Sequence, residues 1–234
     1  MKPNIDRRIT ALRLAVYLGG AIPFAWLLWD SYTGRLGVDP IQLATRRTGL
    51  TALIFLILSL AMTPLEIITG YTQWIRLRRP LGLYSFFYAA VHLAIFVAID
   101  YNFAWNLIWL DSVDKRYIWV GLAAFLILAA MAFTSFDFWK KTLRKNWKRL
   151  HRLVYLAVIL VTLHFAWAVK GDLKTLSGEV IQPVLYGLVI LVLLVVRIKA
   201  VRKAIVRQRE LRKQPRKEEP RKVDPQDLPG LGRG

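Results

Sequence analysis

The chain holds three histidines and no cysteine. All three histidines fall in apolar sequence: His92 within residues 83–99, and His151 and His164 within residues 150–169. An ionisable side chain at membrane depth costs free energy, so it is usually retained for a partner, an ion path or a cofactor. A neutral imidazole is also a ready metal ligand, and two helices of a bundle can each supply one to the same ion. The absence of cysteine excludes a disulfide, a thiolate-held iron–sulfur cluster and the C-x-x-C-H attachment of a c-type haem. A haem here would be b-type, held without covalent bonds. With imidazole on both faces of the iron, no position stays open for substrate or dioxygen, and such a centre carries electrons.

The elements that must position these residues are membrane spans. The chain is 56% hydrophobic yet carries a net charge of +19, so apolar and basic residues must be segregated along it. Six apolar runs near the length needed to cross about 30 Å of hydrocarbon are legible: about residues 12–29, 49–68, 82–100, 117–136, 150–169 and 183–196. The first is read as an uncleaved span kinked at Pro23. Residues 101–110 are aromatic and apolar and suit the interface; residues 137–150 mix six basic residues with Trp139 and Trp147, as in a short interfacial amphipathic helix. No internal repeat strong enough to use is read. The expected fold is therefore all-α, a six-transmembrane-helix bundle over residues 1–200. Residues 201–234 form a basic cytoplasmic tail, largely disordered from about Gln214.

Basic residues gather on the side of the termini: Arg76, Arg78 and Arg79, the six before the fifth span, and the tail. The positive-inside rule puts both termini in the cytoplasm and makes membrane lipid, not nucleic acid, the partner of this charge. The Arg46–Arg47 pair is the exception on the outer side, and an anionic group such as a haem propionate is one expected partner.

Residue counting then gives depths. His151 and His164 are thirteen residues apart, about 20 Å along a helix. His92 matches the depth of His164, and Arg78, fourteen residues before His92, matches His151. Two levels result: His92 with His164 in the outer half, and Arg78 with His151 at the inner edge. One difficulty accompanies this. Thirteen residues turn an ideal helix by roughly 220°, so His151 and His164 need a kink, underwinding or different neighbours. Spacing alone leaves haem ligation open against interhelical hydrogen bonding or a proton relay; zinc fits less well, because no carboxylate or cysteine joins the cluster.

Several segments in order resemble the ferric-reductase-like transmembrane family: IPFAWLLW, GVDP, TGLTAL, MTPL, IRLRRPLGL, the VHL around His92, RYIWVGL, AFTS, NWKRLHRLVYL around His151 and LHFAWAVK around His164. They are most similar to its branch of haem-binding membrane subunits of bacterial methionine-sulfoxide reductase systems. That resemblance implies a b-type cytochrome of the bacterial inner membrane with one or two haems. Electrons would pass to a periplasmic molybdopterin-containing methionine-sulfoxide reductase subunit, where catalysis would occur in repairing oxidised proteins. It implies haem-associated roles for His92, His164 and His151. Larger relatives carry a histidine near Arg78, so an inner haem would rest on His151 with Arg78 or water. No G-x-G-x-x-G segment is present, and the donor is expected to be separate, the quinone pool or a soluble flavin reductase. Bound FMN is a family feature, with residues 140–149 as a phosphate contact. The alternatives are a ferric reductase or superoxide-forming oxidase core, and a non-redox transporter using its histidines as a proton relay.

Overall fold

The computed structural model describes residues 3–169, 171–172, 177–178 and 180–213. The tail expected to be disordered beyond Lys213 and most of the loop at 170–179 lie outside the described residues. Helix α1 spans Pro3–Tyr32 and α2 Pro40–Thr69; a 3-10 turn, Thr72–Leu77, runs into α3, Arg78–Ala94, which ends in a π-helical turn, Ile95–Asp100. Then follow α4 (Trp105–Asp114), α5 (Tyr117–Phe133), α6 (Asp137–Leu143), α7 (Lys145–His151) and α8 (Val154–Ala168). A two-residue antiparallel pair, Gly171–Asp172 with Ser177–Gly178, precedes α9 (Ile181–Val195) and α10 (Lys199–Lys213).

Four helical stretches are long and apolar enough to cross a membrane, or six if two bent pairs each count as one span. The pairs are α4–α5, bent by 111°, and α9–α10, bent by 73°. The outside of the bundle is apolar, with Trp26, Leu126, Ile159, Leu185, Leu188 and Leu191 all exposed. A soluble protein does not present such a surface to water, whereas lipid covers it without cost. The interior is built from α2, α3, α5, α8 and α9: Leu53, Leu56, Leu60, Leu128, Val154, Ala157, Val158 and Ile190 form one buried cluster. A second, with Phe55, Leu81 and Tyr88, joins α2 to α3.

Two prolines interrupt long helices, and each break is closed by a side chain from elsewhere. At Pro23 the α1 ladder opens around Tyr88 of α3. Its hydroxyl accepts from Phe24 N–H at 2.9 Å and donates to Gly20 O at 2.7 Å, standing in the rung that would join those two groups. At Pro64 the missing N–H leaves Leu60 O without its helical donor, and the Arg197 guanidinium donates to it instead.

One expectation needs correction, the form of residues 137–150, and two others gain detail. Arg46 and Arg47 lie inside α2, and the anionic partner of Arg47 is a side chain: it donates to the buried Asp30 carboxylate at 2.5 Å. The single amphipathic helix expected over residues 137–150 is two seven-residue helices, because Arg144 adopts φ +46, a conformation that ends one helix and redirects the next. The basic segment after α9, expected to continue as helix before Gln214, is α10 through Lys213.

Candidate functional site

The antiparallel order brings the start of α2, the end of α3, the start of α5 and the end of α8 to one end of the bundle. There the imidazoles of His92 and His164 meet edge to face, with ring centres 6.1 Å apart and planes at 90°. The two rings are held in the same way. His92 Nδ1 lies 2.9 Å from Thr45 O on α2, and His164 Nδ1 lies 2.8 Å from Tyr117 O at the start of α5. A carbonyl oxygen only accepts, so each Nδ1 carries the proton and each Nε2 keeps its lone pair. Glycine lets the rings sit this close: a Cβ on Gly49 would meet His92 Nδ1 at 3.0 Å, and one on Gly121 would meet His164 Nδ1 at 2.6 Å. Beside His92, the buried Thr45 hydroxyl has no hydrogen-bond partner among the described residues.

The spacing has a chemical reading. Two imidazole–metal bonds of about 2 Å, with roughly 1 Å from each ligating nitrogen to its ring centre, set opposed rings about 6 Å apart across one ion. Among the described residues no third His, Cys, Asp or Glu joins the pair. A planar tetrapyrrole would supply four further donors to an ion held there. Nδ1–H bonded to a backbone carbonyl is the usual outer-shell support of a metal-binding histidine, since it fixes tautomer and direction and raises the basicity of the other nitrogen.

His151 stands apart from this pair. It stacks on Trp147, ring centres 4.0 Å apart, with Nδ1 3.1 Å from Trp147 O one turn back in its own helix. Trp147 is in turn anchored by donating to Thr134 O at 2.9 Å. The chain between His151 and His164 is tightened where underwinding was one expected remedy. Arg152 N–H, Leu153 N–H and Tyr155 N–H all bond three residues back. Three such residues add about 60° to the ideal rotation, since a 3-10 turn advances about 120° per residue. The two histidines also use different neighbours: α3 and the start of α5 for His164, and α7 itself, Arg78 and Met131 near the end of α5 for His151.

Arg78 opens α3 at the opposite end from His92. Its carbonyl accepts from Ser59 Oγ at 3.0 Å, and its charge acts on His151 and Arg197. Arg197 donates to Tyr155 Oη at 2.9 Å as well as to Leu60 O. This end carries buried polar atoms without partners among the described residues: Thr63 Oγ1, Gln73 Oε1, Ser135 Oγ and Arg197 Nε. Sequence reading missed Gly49, Gly121, Tyr155 and Arg197, although GL at residues 49–50 and again at 121–122 was a visible signal.

The profile of the family described as ferric reductase like transmembrane component matches residues 48–162, which hold Arg78, His92 and His151 and stop two residues before His164. A protein of Xanthomonas euvesicatoria pv. vesicatoria named protein-methionine-sulfoxide reductase heme-binding subunit MsrQ is 41% identical over 192 residues, covering 80% of this chain and 85% of its own. The chain belongs to the MsrQ family. The equally named protein of Xanthomonas oryzae pv. oryzae is 44% identical over 169 residues, 72% of this chain and 74% of its own. That of Rhodospirillum rubrum is 40% identical over 187 residues, 80% and 86%. The MsrQ family likeness thus extends well beyond the histidine-bearing helices.

Proposed function

We propose that the chain is the membrane electron carrier of a methionine-sulfoxide reductase system, with a b-type haem held between His92 and His164. The carrying observation is the pair of imidazoles with ring centres 6.1 Å apart, each with Nδ1 engaged by a backbone carbonyl. Bound there, haem supplies one-electron chemistry. The chain's own part is to hold both nitrogens unprotonated, to fix the ring directions and to keep water out of the bundle interior.

Orientation follows from charge: six spans with both termini in the cytoplasm put the His92–His164 pair on the periplasmic side of a bacterial inner membrane. A molybdopterin-containing reductase subunit outside the membrane would take the electrons and carry out sulfoxide reduction. The quinone pool or a soluble flavin reductase would supply them. The other end of the bundle supports a second cofactor site made by His151 and Arg78, because unpartnered buried polar atoms and the Arg78 and Arg197 guanidiniums gather there. A second haem or FMN is the proposed occupant, with residues 140–149 available to a flavin phosphate. The family profile also supports a ferric reductase or oxidase core as a second reading.

The test is the purified protein from haem-sufficient cells. A Soret band, sharp reduced-minus-oxidised bands and a pyridine haemochrome ratio of one or two per chain are expected, with the haem reoxidised by the periplasmic subunit plus a protein sulfoxide. A colourless preparation overturns the reading. Rapid oxygen consumption by the reduced protein, with no effect of the subunit, favours the oxidase core.

A further inference from the structure

The supports of the two histidines are copies of one device. Thr45 and Tyr117, Gly49 and Gly121, and His92 and His164 are each separated by 72 residues. In both copies the histidine stands 47 residues after the carbonyl that it binds. In both, the glycine stands four residues after that carbonyl, on the same helix. The α2–α3 and α5–α8 pairs are therefore equivalent units meeting at the histidines, a repeat that sequence reading did not find.

The spacing of four has a cause. In an α-helix the carbonyl of one residue points at the N–H of the fourth residue on, and every Cβ tilts toward the helix N-terminus. The side chain of that fourth residue therefore shades the carbonyl. At these two positions a Cβ on that residue would crowd the ring nitrogen that shares the oxygen. The close approaches agree: an added Cβ would come within 3.0 and 3.1 Å of His92 Nδ1 and Cε1, and within 2.6 and 2.7 Å of His164 Nδ1 and Cε1. At Gly187, by contrast, an added Cβ meets only Thr162 Cγ2 at 3.5 Å, an ordinary contact.

We infer that Gly49 and Gly121 are positioning residues that open the carbonyls of Thr45 and Tyr117 to the two imidazoles and thereby fix both on the Nδ1–H tautomer with Nε2 directed at the metal. This rests on the reading of His92 and His164 as haem ligands. The consequence is unequal: Gly121→Ala must displace its ring, while Gly49→Ala presses on its ring with less overlap.

The experiment uses the full chain purified in detergent. Nitrogen-15 NMR of histidine-labelled protein, with His151→Gln included to simplify assignment, is expected to report Nδ1–H on both His92 and His164 before any variant is made. Haem titration and low-temperature EPR then compare Gly121→Ala, Gly49→Ala and Gly187→Ala. About tenfold weaker haem retention, the lower end of outer-shell effects, is expected for Gly121→Ala, with a smaller loss for Gly49→Ala. Altered low-spin g-values and a raised midpoint potential are expected in both, and Gly187→Ala should match the unmodified chain. An Nε2–H tautomer at either histidine overturns the inference, as do unchanged EPR and potential in well-folded Gly121→Ala. If Gly121→Ala does not fold, Gly49→Ala and the tautomer measurement decide it. Absence of haem from the unmodified chain would instead refute the ligand reading itself.

Discussion

The Arg197 guanidinium donates to the carbonyl of Leu60, the one acceptor in α2 that Pro64 deprives of its helical donor. A residue just after α9 thus completes the α2 ladder at a carbonyl 137 positions earlier in the chain. Leaving such a buried acceptor unmade costs about 1–3 kcal/mol. Arg197→Met is expected to lower stability in detergent by about that much, and to lower it less in a Pro64→Ala background, where residue 64 supplies its own N–H. A double-mutant cycle on melting curves checks this; strict additivity would contradict it.

Tyr88 plays the corresponding part at Pro23. Its hydroxyl, almost wholly buried, bridges Phe24 N–H and Gly20 O. Tyr88→Phe removes both bonds while keeping the ring stacked on Phe55. The expected result is a loss of about 1–3 kcal/mol together with freer α1, read as faster amide exchange around Phe24. Because Tyr88 lies one turn from His92, haem bands should shift little; loss of all haem from a folded variant would mean that α1 itself builds the site.

At the His92–His164 end, α4 is tied to the bundle by Asp111, which accepts from Lys115 and from Tyr101, each at 2.5 Å. The bond from Lys115, then that from Tyr101, hold the Asp111 carboxyl below the usual carboxylate range, and Asp111 pushes the Lys115 ammonium up to about 12. The depressed carboxyl stabilises α4 above its unfolded value and loses that effect as pH falls through its folded value. The raised ammonium does so below its unfolded value and fails as pH rises through its folded one. Docking of α4 is therefore expected to be flat from about pH 4 to pH 10, with loss on either side. Trp109 and Trp119, with ring centres 5.6 Å apart, give a fluorescence readout. Asp111→Asn should abolish the acid transition; an unchanged transition would assign it elsewhere.

What could be read in the sequence was whatever depends on counting along a helix. The constant rise of 1.5 Å per residue makes His92 and His164 neighbours and separates His151 from them. What could not be read rests on backbone groups that every residue carries. Thr45 and Tyr117 share no side-chain chemistry, yet their carbonyls do the same work, and so the 72-residue equivalence leaves little trace in residue types. The same holds for Leu60 and Arg197: a guanidinium on a late helix gives no sign of which carbonyl it will meet. The Asp30–Arg47 pair needed the tight turn between α1 and α2, with Gly34 and Gly37 both at positive φ, before two distant charges could touch.

The central claim is that one haem is held by His92 and His164 and not by His151. Low-temperature EPR of the ferric protein, with haem content by pyridine haemochrome, tests it in three variants: His92→Ala, His164→Ala and His151→Ala. Either of the first two is expected to remove the low-spin signal of two imidazole ligands, while His151→Ala keeps it. Loss of all haem on His151→Ala, with the signal intact in His92→Ala or His164→Ala, would contradict it.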